Sequence, residues 1–143
     1  MKRLLSVSSI GVVGIVLVTY FAIHPATGQI KQGKERPLKT SQLMGGLVAP
    51  NCGALKKGLD AGPADEKAWK SVATNAALLN EASHIVMADG RCPDGTWAGA
   101  AKTLRECSAA VLKAIDEQDV EAAKSAFGAM TKACGECHKA HKK

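Results

Sequence analysis

The chain has 143 residues, enough for one domain, with 19 Lys and Arg against 13 Asp and Glu and only 3% aromatic residues. So few aromatic rings argue against a surface that stacks on nucleic-acid bases, and no nucleic-acid partner is expected. The formal charge of +6 gathers near the two ends of the chain, where solvated lysines are the plain reading.

Met1-Lys2-Arg3 followed by the apolar run Leu4 to Ile23 has the charged start and hydrophobic stretch of an export signal. Ala26-Thr27-Gly28 offers a small-residue cleavage site, so residues 1–28 are predicted to be a signal peptide. The run is also long enough for an uncleaved anchor. Either way the expected destination is the periplasm or an equivalent extracytoplasmic compartment. Removing Lys2 and Arg3 leaves 17 basic against 13 acidic residues, a formal +4. Residues 29–40 are polar, basic and interrupted by Pro37, and are predicted to form a mobile linker. Residues 41–143 are then the folded domain.

No segment alternates with the period of a strand, and four helical patterns follow one another. The first spans about Ser41 to Leu59, with Met44, Val48, Cys52, Leu55 and Leu59 on one narrow stripe. Gly45, Gly46, Pro50 and Gly53 make it a poor helix by propensity, with a kink predicted at Pro50. Bare glycine backbone beside a kink lets a flat ligand approach closely. The second helix, about Ala64 to Ala88, carries Trp69, Val72, Ala76, Leu79, Ser83 and Val86, with Gly90 as its stop. Asp94 or Thr96 caps the third, whose stripe is Trp97, Ala101, Leu104, Ser108, Val111 and Ile115. Asp119 caps the fourth, in which Val120, Ala123, Phe127, Met130, Cys134, Cys137 and His141 recur at alternating threes and fours. The predicted fold is all-α, an up-down-up-down four-helix bundle. One pole gathers the start of the first helix, the end of the second, the start of the third and the end of the fourth.

That pole holds Cys134-Gly135-Glu136-Cys137-His138. In an exported chain, Cys-x-x-Cys-His reads as a site for one covalent c-type haem. Residues three apart share a helix face, so Cys134 and Cys137 can each bond one vinyl group, and His138 turns its imidazole toward the iron. A thioredoxin-like pair needs a strand before it and a helix opening at it, whereas here a helix runs into it. Zinc held by Cys134, Cys137, His138 and His141 needs four ligands around a tetrahedron from one short helical stretch. A Cys134–Cys137 disulfide is poorly placed at helical spacing. Haem is the reading adopted.

With this motif near the end of the last helix, the chain resembles the cytochromes c′ from about Ser41 onward. The resemblance implies that His138 binds the iron on one side while a residue of the first helix covers the other. It also implies nitric oxide and carbon monoxide as ligands. The segment Leu47-Val48-Ala49-Pro50-Asn51-Cys52-Gly53-Ala54-Leu55 is similar to the small Nax-type cytochrome subunits of anammox planctomycetes, which pair as heterodimers. Where cytochromes c′ often carry an aromatic residue and then Arg after the motif, this chain has His141 and Lys142, and Lys lacks the planar fork of Arg.

Cys52 on the first helix is the second departure. Its plain reading is a small core residue; the sharper one, adopted here, is a thiolate bound to the iron opposite His138. Cys107 is its rival at similar height. A Cys92–Cys107 disulfide would have to span roughly 20 Å of helix and is not favoured. His84 is read as a structural or propionate-bonding histidine inside the pole, and Met44 and Met130 as packing residues. The expected function is a redox-active haem protein that binds nitric oxide or carbon monoxide. The alternative is a simple electron-transfer cytochrome, and either requires a redox partner protein. Asn51 is the only polar group near the expected distal side in the first helix, which counts against peroxidase chemistry. Pairing through the first two helices, with Leu78 and Ile85 at the contact, is expected to give a homodimer or a heterodimer with a related cytochrome.

Overall fold

A computed structural model of the protein describes residues 33–142. The predicted signal peptide, the first residues of the linker and Lys143 lie outside them. The described chain is all-helical, without a β-strand, in the order α1 (Thr40–Leu43), a π-helical turn (Met44–Val48), α2 (Ala49–Ala61), α3 (Glu66–Ile85), α4 (Gly95–Asp116) and α5 (Val120–His141). The first three run on without a break, so four long helical rods are formed. Each packs on the next, α4 and α5 most extensively, and α5 also returns to α2.

Local chemistry accounts for the boundaries. Asp65, Asp94 and Asp119 each accept a hydrogen bond from the backbone three residues on, Ala68 (2.7 Å), Trp97 (2.9 Å) and Ala122 (2.9 Å), satisfying an amide that has no partner within the helix. Asp94, rather than Thr96, is therefore the cap of α4. Asp89 (φ 60°) and Gly90 (φ 73°) turn the chain out of α3 in the left-handed region. The kink predicted at Pro50 takes the form of the π turn just before it. Pro50 has no N–H to return to Gly46, and Ala49 N–H reaches back to Met44 O, one residue further than in an α-helix. The Asn51 side chain donates to Leu47 O at 2.6 Å and secures the turn's far end.

The heptad-like stripes become two contiguous cores. The larger joins Leu55 and Leu59 of α2, Val72, Ala76 and Leu79 of α3, Leu104 and Val111 of α4, and Phe127 and Met130 of α5. Each fully buried Leu, Val or Met contributes about 1.5–3 kcal/mol. The smaller lies at one pole, where Leu43, Val86, Trp97 and Ala101 meet and Met44, Cys92 and Cys137 pack against them. This is the pole expected to gather the start of the first helix, the end of the second, the start of the third and the end of the fourth. Among the described residues no helix is long and apolar enough to cross a membrane.

The part of the predicted linker that is described is fastened down rather than loose. Asp89 accepts from Lys34 N–H through its carbonyl and from Glu35 and Arg36 N–H through its two carboxylate oxygens, all at 3.0 Å. The buried Arg91 donates from Nη1 to Leu38 O at 2.8 Å. The Arg36 amide foremost, with those of Glu35 and Lys34 and the Arg91 guanidinium, holds the Asp89 carboxyl below the usual carboxylate range against a smaller desolvation effect. A sequence of isolated Lys, Glu and Arg gave no hint of this partner more than fifty residues away.

Candidate haem-attachment site

The motif occupies the last turns of the 22-residue helix α5, not the opening of a helix after a strand, so the thioredoxin-like geometry is not present. Cys134 and Cys137 are half-buried and His138 is exposed, while His141 is 6% exposed. His138 and His141, one helical turn apart, thus differ in exposure although both line one cavity. Among the described residues no three His, Cys, Asp or Glu side chains gather as a metal-ion cage. All five cysteines carry free thiols.

Three clefts converge on the motif. A cavity of about 270 Å³ lies between Cys137, His138 and His141 of α5 and Thr40, Met44 and Gly45 of the facing wall, with Trp97 beneath. A small gap of about 50 Å³ lies between Cys134, Cys137 and His138 and the start of α4 at Ala101 and Leu104. An open groove of about 520 Å³ runs from Cys134 and His138 past Cys52, Gly53 and Lys56 to Phe127. The walls of all three are mainly apolar, and together they reach the size range of small-molecule and cofactor sites.

His138 and Met44 line all three clefts. The expected residues are therefore brought together: Cys134, Cys137 and His138 on one wall, and Cys52 with His138 along the groove. Cys107 packs on the larger core and is not among the residues lining the clefts. Cys92 packs instead on the polar-end core, with its thiol directed at Asp94 O (3.4 Å), so Cys92 and Cys107 belong to different cores. His84 does not lie inside the pole: it is exposed on α3, one position off the stripe of Ser83 and Val86. Met44 was read from its spacing as one more packing residue. Its place at the junction depends on the π turn, which periodicity does not reveal.

Burial raises the thiols of the site. The Cys134 thiol is pushed up to about 11, by burial first and then by repulsion from Cys52, Cys137 and Cys107. Cys137 is raised by burial and by the Asp94 carboxylate, Cys52 by burial alone, and Cys107 by burial and Glu106. Among the described residues, the buried side-chain polar atoms without a hydrogen bond are Arg91 Nε and both ring nitrogens of His141. Both residues lie at the motif pole, Arg91 beside Thr40 (3.5 Å) and His141 in the cavity wall. Cβ atoms built at Gly45 and Gly53 would meet no other side chain or distant backbone within 4 Å. Gly45 lines the cavity and Gly53 the groove, each with open space where a side chain would stand. Two thiols one helical turn apart, an adjacent imidazole, mainly apolar clefts and unsatisfied polar atoms at one pole fit a covalently held porphyrin.

Compared with protein-family models, with curated proteins and with solved structures, the chain has no match.

Proposed function

We propose that the protein is an exported monohaem c-type cytochrome of up-down-up-down, cytochrome c′-like architecture that binds nitric oxide or carbon monoxide and exchanges electrons with a partner protein. The observation that carries this reading is the meeting of three clefts on the Cys134, Cys137 and His138 wall. Cys134 and Cys137 would hold the haem by thioethers, and the His138 imidazole and the Cys52 thiolate would be the side chains that bind its iron. The haem, when bound, supplies a redox-active iron and a coordination position for a diatomic gas.

The chain's own contribution is to exclude water with Trp97, Leu104 and Val48, to hold His138 on a rigid helix, and to present Cys52 from a helix weakened by Gly53 and the π turn. A side chain on such a helix would be free to shift, which would suit a ligand that must make room for a gas. Thiolate donation would keep the reduction potential low relative to a His/Met haem.

Met44 supports a second reading. It shares all three clefts with His138, so its thioether would be a rival to the Cys52 thiolate as an iron ligand. Expression with a working haem-maturation system should add one haem mass to the exported chain, and an apo mass would refute the proposal. In the haem-bearing protein, Cys52→Ala should convert a low-spin ferric spectrum into a high-spin one. If Cys52→Ala leaves the spectrum unchanged and Met44→Leu alters it, the thioether is the ligand. A parent spectrum in both variants shows that neither group is bound to the iron.

A further inference from the structure

His141 is the last buried side chain of α5, with 7% of its side chain exposed. Its Nε2 stands 3.4 Å from Asp94 Oδ1, and its ring meets the edge of Trp97 at 5.4 Å between centroids and 73° between planes. The same Asp94 oxygen caps α4 by accepting Trp97 N–H at 2.9 Å. The Trp97 indole in turn donates to Val86 O at 2.9 Å, tying this group to the end of α3. One carboxylate and one indole thus join two helix ends, the start of α4 and the end of α3, and His141 brings the end of α5 in as the third.

Helix ends fray because their final carbonyls lack partners. The turn from His138 to His141 closes on itself with Lys142 N–H donating to His138 O at 2.9 Å, but it needs an anchor outside the helix to fix its rotation. Buried imidazole nitrogens without any hydrogen bond are costly. Those of His141 have only the Asp94 carboxylate within ion-pair range, at a distance beyond the usual 2.7–3.2 Å hydrogen bond.

We infer that His141 is a positioning residue, locked by Asp94 against Trp97, which sets the orientation of the turn that carries His138. It touches neither the iron nor the reacting gas, and acts by holding the helix end that presents the imidazole. This goes beyond the haem-attachment reading, which assigns His141 no role, but its effect on the iron rests on that reading.

The test is a double-mutant cycle of His141→Phe, which keeps a ring against Trp97, and Asp94→Ser, which keeps a cap for α4 but is too short to reach His141. In the haem-free protein, amide exchange from His138 to Lys142 should rise about fivefold to tenfold in each single variant, with no further rise in the double. In the haem-loaded protein, each variant should shift the ferric EPR g-values and the reduction potential, and His141→Gln should restore part of both. Unchanged exchange in both single variants, or effects that simply add, overturns the lock. Faster exchange with an unchanged spectrum and potential confines His141 to a structural role and overturns its positioning of His138. Should Asp94→Ser fail to fold, Asp94→Thr, which also caps α4 but is too short to reach His141, takes its place with the same outcomes. The exchange arm needs no haem, so a parent that takes up none refutes the proposed function without touching the lock.

Discussion

Gly53 and Gly58 stand five residues apart on α2, yet alanine should act on them in opposite senses. A Cβ at Gly53 would meet nothing within 4 Å, whereas one at Gly58 would stand 2.4 Å from Val72 Cγ1. Replacing glycine by alanine inside a helix stabilises by about 0.5–1 kcal/mol through the entropy of the unfolded chain. Gly53→Ala should gain that amount, which for a domain of this size raises the melting temperature by about 2–6 °C. Gly58→Ala gains the same entropy but drives a methyl group into Val72, which is 2% exposed and held between α2 and the core of α3. Overpacking costs about 1–3 kcal/mol, so the net effect should be a loss of about 0.5–2 kcal/mol. Thermal melts followed by circular dichroism on the haem-free protein decide it, since neither change then involves a ligand. Equal stabilisation by both substitutions would refute the close approach of α2 to α3. Gly45→Ala extends the test to the site: it should leave the haem-free protein as stable or more so, yet lower haem loading, because its methyl group points into the cavity beside Met44.

Two further outcomes follow from the ionisable groups. With a thiol near 11, about one Cys134 in a thousand is ionised at pH 8, against roughly a quarter of ordinary thiols. After allowance for the greater nucleophilicity of the more basic thiolate, iodoacetamide should label Cys134 on the order of 20 times more slowly in the folded haem-free chain than in the denatured one, as read by peptide mass spectrometry; equal rates would show that the thiol is not buried as described. The Asp89 clasp should open in acid. Its folded value is depressed, so its stabilisation is present above the unfolded value, about 3.9, and is lost as the pH falls through the folded value. The NMR amide resonances of Glu35 and Arg36 should move toward random-coil positions in acid and do so already at neutral pH in Asp89→Asn. Resonances that stay in place in that variant would show that the carboxylate does not hold the segment.

The inner faces of the rods were legible because helical period and burial are nearly the same information. Val72, Ala76, Leu79, Ser83 and Val86 are all buried, as are Trp97, Ala101, Leu104, Ser108, Val111 and Ile115. The capping roles of Asp94 and Asp119 were legible for a similar reason, since a cap acts over three residues. That Cys134, Cys137 and His138 share one wall was legible too, since residues three and four apart on a helix are neighbours. What the sequence hid depends on long-range pairing. Arg91 is 1% exposed, although Arg in a loop ordinarily reads as solvated, because Leu38 O and Thr40 reach it from the other end of the chain. His141 lay on the predicted stripe, yet its partner Asp94 was assigned only to capping. His84 went the other way: one residue's rotation, about 100° on a helix, separates it from buried Ser83 and leaves it in solvent.

The wall facing the motif explains why a poor helix occurs at this place. Across Met44–Gly53 the chain has three glycines, one proline and a π turn, and every residue of the turn keeps some exposure. Its position is secured from both sides instead: Leu43 is 2% exposed in the pole core, and Leu55 and Leu59 are 0% and 1% exposed in the larger one. The stretch between these anchors can thus make do with lighter packing: Met44 and Leu47 lie against the pole core and Val48 and Cys52 against the larger one, all only partly buried. A regular helix with large side chains there would bury itself against α5 and close the clefts around His138. Glycine leaves the backbone bare, proline withholds a hydrogen bond, and the widened turn carries Met44 to the junction of the clefts. Under the proposed reading, the same weakness would serve gas binding, because a distal side chain borne on this wall is only partly buried and could withdraw while Leu43, Leu55 and Leu59 stay in place. A stable bundle and a displaceable ligand are compatible when they are carried by different parts of one helix.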